Sequence, residues 1–68
     1  MNIFAENLKS LRLEKNLSRK QLANVLNVSE RLISYWENGA RECNFDMLIA
    51  IADYFDVTLD YLLGRTDY

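Results

Sequence analysis

Ser18-Arg19-Lys20-Gln21-Leu22-Ala23-Asn24-Val25-Leu26-Asn27-Val28-Ser29-Glu30-Arg31-Leu32-Ile33-Ser34-Tyr35-Trp36-Glu37 is the stretch on which the reading of this chain turns. Ser18 with Gln21 three residues on forms a capping box, in which the hydroxyl accepts from an orphan N–H at a helix start and the amide reaches back. Leu22, Ala23 and Leu26 then fall on the inward side of that helix. Asn27 tolerates a left-handed backbone better than most non-glycine residues, and Ser29 caps a second start. Only Asn27, Val28 and Ser29 remain to join the two helices. So short a link forces the sharp crossing of a helix-turn-helix unit, with Val28 placed to plug the corner.

The flanks read the same way. Phe4, Leu8 and Leu11 recur at i, i+4, i+7 among polar residues, which predicts an amphipathic first helix stopping near Asn16. The third helix turns Ile33 and Trp36 inward and ends at Gly39, a C′ glycine. Asn44 caps a fourth helix, expected to bury Phe45, Leu48, Ile49, Ala52 and Phe55 as one stripe. Thr58 caps a short fifth, Leu59 to Leu63, closed by Gly64. The expected fold is all-α and compact, five helices in a single domain over 1–68 with its core in 4–64.

Composition removes other classes. Half of the 68 residues are hydrophobic, 26% are charged and none is proline, so disorder and collagen-like structure are excluded. A single cysteine, Cys43, makes no disulfide framework, and the absence of histidine removes the usual general base and metal ligand. No cofactor, metal or enzymatic activity is expected. Nucleophilic catalysis would rest on Cys43 with nothing to activate it, and two glycines build no phosphate loop. The longest apolar run, Met47 to Ala52, is far short of the roughly 20 residues a bilayer span needs. With no basic-then-apolar export signal at the start, a cytoplasmic protein is expected.

Net charge is −2, the wrong sign for a simple nucleic-acid binder, but it is segregated. Residues 1–41 carry seven Lys/Arg against four Glu, net +3; residues 42–68 carry one Arg against six Asp/Glu, net −5. Such a split can form a basic face on one side of a fold, or belong to an ordinary mixed surface.

Within the third helix, Glu37 sits at the negative end of the helix dipole and calls for a cation, for which Arg12 is the candidate. On the helical wheel Ile33, Trp36 and Glu37 share one side, and Arg31, Ser34, Tyr35 and Asn38 the opposite one, with Glu30 at the exposed start. Such a face is often merely solvated; in a helix-turn-helix it can also present donors and acceptors to base edges.

Leu17 to Ala23, Leu26 to Ser29, the Ile33-Ser34-Tyr35-Trp36-Glu37-Asn38-Gly39-Ala40-Arg41 turn, Leu48 to Ala52 and the Val57-Thr58-Leu59-Asp60-Tyr61-Leu62-Leu63-Gly64 tail resemble the Cro/phage-repressor-like (XRE-type) helix-turn-helix family, from Phe4 to Gly64. The resemblance implies a five-helix, lambda-repressor-like DNA-binding fold. It also implies a sequence-specific transcriptional regulator, a repressor, that inserts its third helix into the major groove of a palindromic operator. Carried over by position, it implies base reading by Glu30, Arg31, Ser34 and Tyr35, phosphate contact by Arg19, Asn38 and Arg41, and a structural ion pair between Arg12 and Glu37. Arg19 stands where the family usually has Gln, Asn27 and Asp56 where it has Gly, and Cys43 where Pro is common. Glu30 repels phosphate, yet it can accept from cytosine N4 or pair with Arg31 or Arg19. Leu32, in place of a small polar residue, either packs against the second helix or touches a thymine methyl. The acidity and Glu30 keep open an alternative, a protein-binding module such as an antitoxin or anti-repressor partner.

A domain this small reads few base pairs, and two-fold dimers read half-sites about 34 Å apart. A homodimer through the carboxyl-terminal helices is expected. Met47, Ala50 and Tyr54 form a second apolar stripe, and Tyr61, Leu62 and Tyr68 are further exposed candidates, although the stripe could instead complete the core. With no second domain or evident cleft, no small-molecule ligand is expected.

Overall fold

Every helix after the first begins where the sequence supplies a side-chain acceptor. The computed structural model describes residues 3–65, which form α1 (Ile3–Glu14), α2 (Arg19–Leu26), α3 (Glu30–Glu37), α4 (Phe45–Phe55) and α5 (Leu59–Leu62), with no strand among the described residues. Ser18 Oγ accepts from the Gln21 N–H at 3.0 Å while its own N–H donates to Gln21 Oε1 at 2.8 Å, completing the capping box. Ser29, Asn44 and Thr58 accept from the N–H groups of Leu32, Met47 and Tyr61 at 3.1, 2.8 and 3.0 Å. Each such cap is worth about 1 kcal/mol.

The helix ends share one device. Asn16, Asn27, Gly39, Asp56 and Gly64 all have positive φ. Immediately after each, a backbone N–H turns back five residues: Leu17 to Arg12 O, Val28 to Ala23 O, Ala40 to Tyr35 O, Val57 to Ala52 O and Arg65 to Asp60 O. This closure satisfies carbonyls that the helix leaves open. At three of the ends the residue that follows is a large apolar one, and Leu17, Val28 and Val57 each pack into the edge of the core. Val28 therefore does plug the corner between α2 and α3.

The core takes one wholly buried side chain from each helix: Leu8, Leu22, Ile33, Ile51 and Leu62. Phe4, Leu11, Trp36, Leu48 and Phe55 surround them. Burial of such a side chain contributes roughly 1.5–3 kcal/mol, an upper estimate because the unfolded chain is itself partly collapsed. α5 is tied to α1 by Asn7, whose Nδ2 donates to the carbonyls of Tyr61 and Leu62 at 2.9 and 3.2 Å. Gly64 lies so close to α1 that an added Cβ would come within 2.2 Å of Ile3 Cγ2.

The fourth helix corrects the expected stripe. Its inward arc is Leu48, Ile51, Ala52 and Phe55, whereas Phe45 is 82% and Ile49 46% exposed. At about 100° per residue the true arc is rotated by roughly 50° from the expected one, which brings Ile51 in and turns Phe45 and Ile49 out. The described residues expected at a dimer seam lie on α4 and α5. Met47, Tyr54 and Tyr61 are half-buried against the core, and Leu62 lies within it. Tyr54 meets Phe55 edge-on, centroids 5.0 Å apart, with Lys15 Nζ 5.3 Å from its ring centroid. Tyr68 lies outside the described residues. α5 ends one residue earlier than expected, with Leu63 as its cap.

Candidate nucleic-acid interface

α3 is held from behind and open in front. Ile33 and Trp36 anchor it in the core, and the link through Val28 fixes it across α2. The opposite arc runs Ser34, Asn38, Arg31, Tyr35 around the helix. Arg31 and Asn38 are exposed, as is Glu30 at the helix start, and Ser34 and Tyr35 are half-buried. Leu32 packs against the core edge.

Cations flank both edges of this arc. At the Ser34 edge, Arg19 from the first turn of α2 and Lys9 from α1 line an open pocket together with Ser34, Glu37 and Asn38. At the Tyr35 edge, the turn after α3 brings the Arg41 guanidinium carbon 5.1 Å from the Tyr35 ring centroid. Gly39 allows that turn through its positive φ of 76°.

Glu37 is the electrostatic hinge of the site. Its side chain is 3% exposed, and Arg12, 7% exposed, grips it with Nε on Oε2 at 2.6 Å and Nη2 on Oε1 at 3.1 Å. The same guanidinium donates through Nη1 to the Leu17 carbonyl at 2.8 Å, so the ion pair also fixes the end of α1. Arg19 Nε reaches Glu37 Oε1 at 3.2 Å. This third member was not read from the sequence: Arg19 opens α2 and Glu37 closes α3, so two short helices and a turn separate them along the chain. Among the described residues Glu30 forms no ion pair, with Arg31 or with Arg19.

The other chemical candidate is separate. Cys43 lines a groove of about 680 Å³ with Ile3, Phe4, Glu42, Phe45, Leu48 and Leu63. Burial pushes its thiol up to about 12, far from a reactive thiolate. Among the described residues no three His, Cys, Asp or Glu cluster as a metal site would require, and no helix is long and apolar enough to cross a membrane.

The profile of the helix-turn-helix family matches residues 8–62. The HTH-type transcriptional activator BcrR of Enterococcus faecalis is 47% identical over 61 residues, covering 90% of this chain and 30% of that protein. A transcriptional regulator from Listeria innocua superimposes with a TM-score of 0.89 at 35% identity, covering 100% of this chain and 64% of that one. The P22 c2 repressor, solved with a synthetic operator, superimposes with a TM-score of 0.87 at 26% identity, covering 97% of this chain and 100% of that one. The chain spans between about a third and a half of the length of the first curated relatives it matches. On the family match and the shared five-helix, lambda-repressor-like fold, the chain belongs to the helix-turn-helix family of the XRE type.

Proposed function

We propose that this chain is a sequence-specific DNA-binding transcriptional regulator of the cytoplasm, not an enzyme, which lays α3 into the major groove of a palindromic operator and represses by occupying the promoter. The observation that carries the reading is the outward arc of α3, flanked by Arg19 and Lys9 on one edge and by Arg41 on the other. An α-helix with its side chains is about 10–12 Å across, which matches a major groove roughly 12 Å wide. Arg31, Ser34, Tyr35 and, by acceptance from cytosine, Glu30 read base edges. Arg19, Asn38 and Arg41 hold phosphates on either side.

The regulator acts as a homodimer. The Cα extents of 28 × 23 × 21 Å let two copies lie side by side with recognition helices about 34 Å apart. With Met47, Tyr54 and Tyr61 engaged by the core, the exposed Phe45, which lines one groove with Ile3 and Leu63, supplies the apolar seam together with the exposed Ile49. Selection from a random duplex pool tests the reading. The expected product is a motif of two inverted half-sites, centred about 10 base pairs apart. Absence of any enriched motif, with stable co-purification of another protein, would instead support the protein-binding alternative.

A further inference from the structure

Two arginines share one buried carboxylate, and they do so unequally. Arg12 takes both Glu37 oxygens from a buried position, whereas Arg19 contributes Nε alone and stays 44% exposed. Arg12 already neutralises Glu37 and satisfies its geometry, so Arg19 leaves the trio with a net positive charge. Among the described residues the two terminal nitrogens of Arg19 donate to nothing. Arg19 lines an open pocket of about 310 Å³ together with Lys9, Ser34, Glu37 and Asn38. Two cations with a hydroxyl and an amide around one small opening match the chemistry of a phosphate.

We propose that Glu37 is a positioning residue: through Oε1 it fixes Arg19 so that the free Nη edge meets a DNA backbone phosphate in this pocket, with Lys9 as a second cation. The proposal rests on the DNA-binding reading above. An arginine held at Nε has already lost part of the rotamer freedom that phosphate binding would otherwise remove, and its planar fork still presents two donors outward. The opposite role, in which Glu37 competes with phosphate for Arg19, is weakened by the closer grip of Arg12 on the carboxylate.

The test is a double-mutant cycle of Arg19→Ala and Glu37→Gln, read as affinity for a short random-sequence duplex across a salt series. In the wild-type background Arg19→Ala should weaken binding by roughly tenfold and lower the salt slope by about 1. In the Glu37→Gln background, read at a temperature where circular dichroism shows that protein fully helical, the same change should cost less than about threefold, because the unanchored arginine contributes less. An equal or larger cost there overturns the proposal, since it makes Glu37 either irrelevant to Arg19 or its competitor. Arg19→Lys leaves the Arg12–Glu37 pair intact and keeps the charge. It should hold the salt slope and lose several-fold in affinity, whereas wild-type affinity would overturn the need for a fork. Lys9→Ala should lower the slope by about 1 more, and no change would remove Lys9 from the pocket. Wild-type protein that binds no duplex at low salt would overturn the DNA reading as well, which separates the two failures.

Discussion

Arg41 stacks on Tyr35, its guanidinium carbon 5.1 Å from the ring centroid, while the N–H groups of Ala40 and Arg41 both donate to the Tyr35 carbonyl at 2.8 and 3.3 Å. Side chain and backbone of the turn after α3 thus fold back onto a single residue of the outward arc. A cation over an aromatic face at an accessible site is worth about 0.5–1 kcal/mol, enough to bias the ring toward one orientation. On the proposed function Arg41 therefore has two roles open to it, holding a phosphate and holding the ring proposed to read bases.

Those roles separate by measurement. Tyr35→Ala and Arg31→Ala should relax base preference by about 1–3 kcal/mol per lost contact, read as binding to a selected duplex and its single-base variants. Arg41→Ala should do both things, lowering the salt slope by about 1 and relaxing preference at the bases Tyr35 reads. A uniform loss over every duplex would leave Arg41 as a phosphate contact only.

The Arg12–Glu37 pair predicts a stability effect of a different size. Both side chains are buried, and removal of one leaves the other charged, desolvated and unpaired. Glu37→Ala should therefore cost about 3–5 kcal/mol in urea unfolding, a large part of what a small domain has. Arg12→Met combined with Glu37→Leu should recover most of that loss, because no charge is then stranded. A single substitution that costs less than about 1 kcal/mol would mean that water reaches the pair.

How far the sequence could be read follows from the range of each interaction. The caps at Ser18, Ser29, Asn44 and Thr58 are set by residues three positions apart, so local chemistry was enough to place them. The positive φ of Asn27 and Gly39 was legible for the same reason. The Arg12–Glu37 contact spans 25 residues, yet the helix dipole called for a cation and few were within reach. The face of α4 was not legible. Met47 to Ala52 is apolar at every position, so periodicity gave no phase, and the packing of α4 against the rest of the core chose Ile51 over Ile49. The Arg19 link to Glu37 was missed because it depends on the crossing of α2 and α3, a tertiary angle.

That rotation of α4 supports a prediction about assembly. Phe45 is 82% exposed, so Phe45→Ser should leave stability within about 0.5 kcal/mol of wild type. Sedimentation should nevertheless show loss of the dimer, and gel shifts should lose half-site cooperativity. Tyr61→Ala and Met47→Ala should behave in the reverse way, with lowered stability and a dimer retained by whatever remains folded. A Phe45→Ser protein that stays dimeric would place the seam elsewhere.

Charge segregation sets the response to salt. The half that carries +3 holds Lys9, Arg19, Arg31 and Arg41, and the half that carries −5 begins at Glu42. If each protomer neutralises about four phosphates, log K against log salt for the dimer should have a slope near −7. Repulsion from the acidic half is screened beyond about 8–10 Å and should add little curvature at physiological salt. A slope shallower than about −3 would mean that the cations around α3 do not meet phosphate.

Cys43 tests the apolar groove independently of DNA. Its thiol, ordinarily at 9.0, is pushed up to about 12 by burial, so the folded state holds the proton more tightly than the unfolded state does. The stability this contributes is complete below pH 9 and is lost as pH rises toward 12. Only the thiolate reacts with iodoacetamide, so at pH 8 the folded chain should label more than about tenfold more slowly than the urea-unfolded chain. Cys43 and Phe45 line the same groove, and an adduct forced onto the thiol would crowd the proposed seam. Labelled protein should therefore sediment as a monomer. Equal labelling rates in the folded and unfolded states would mean that the groove does not shield Cys43, and the apolar contact assigned to its neighbours would lose its physical basis.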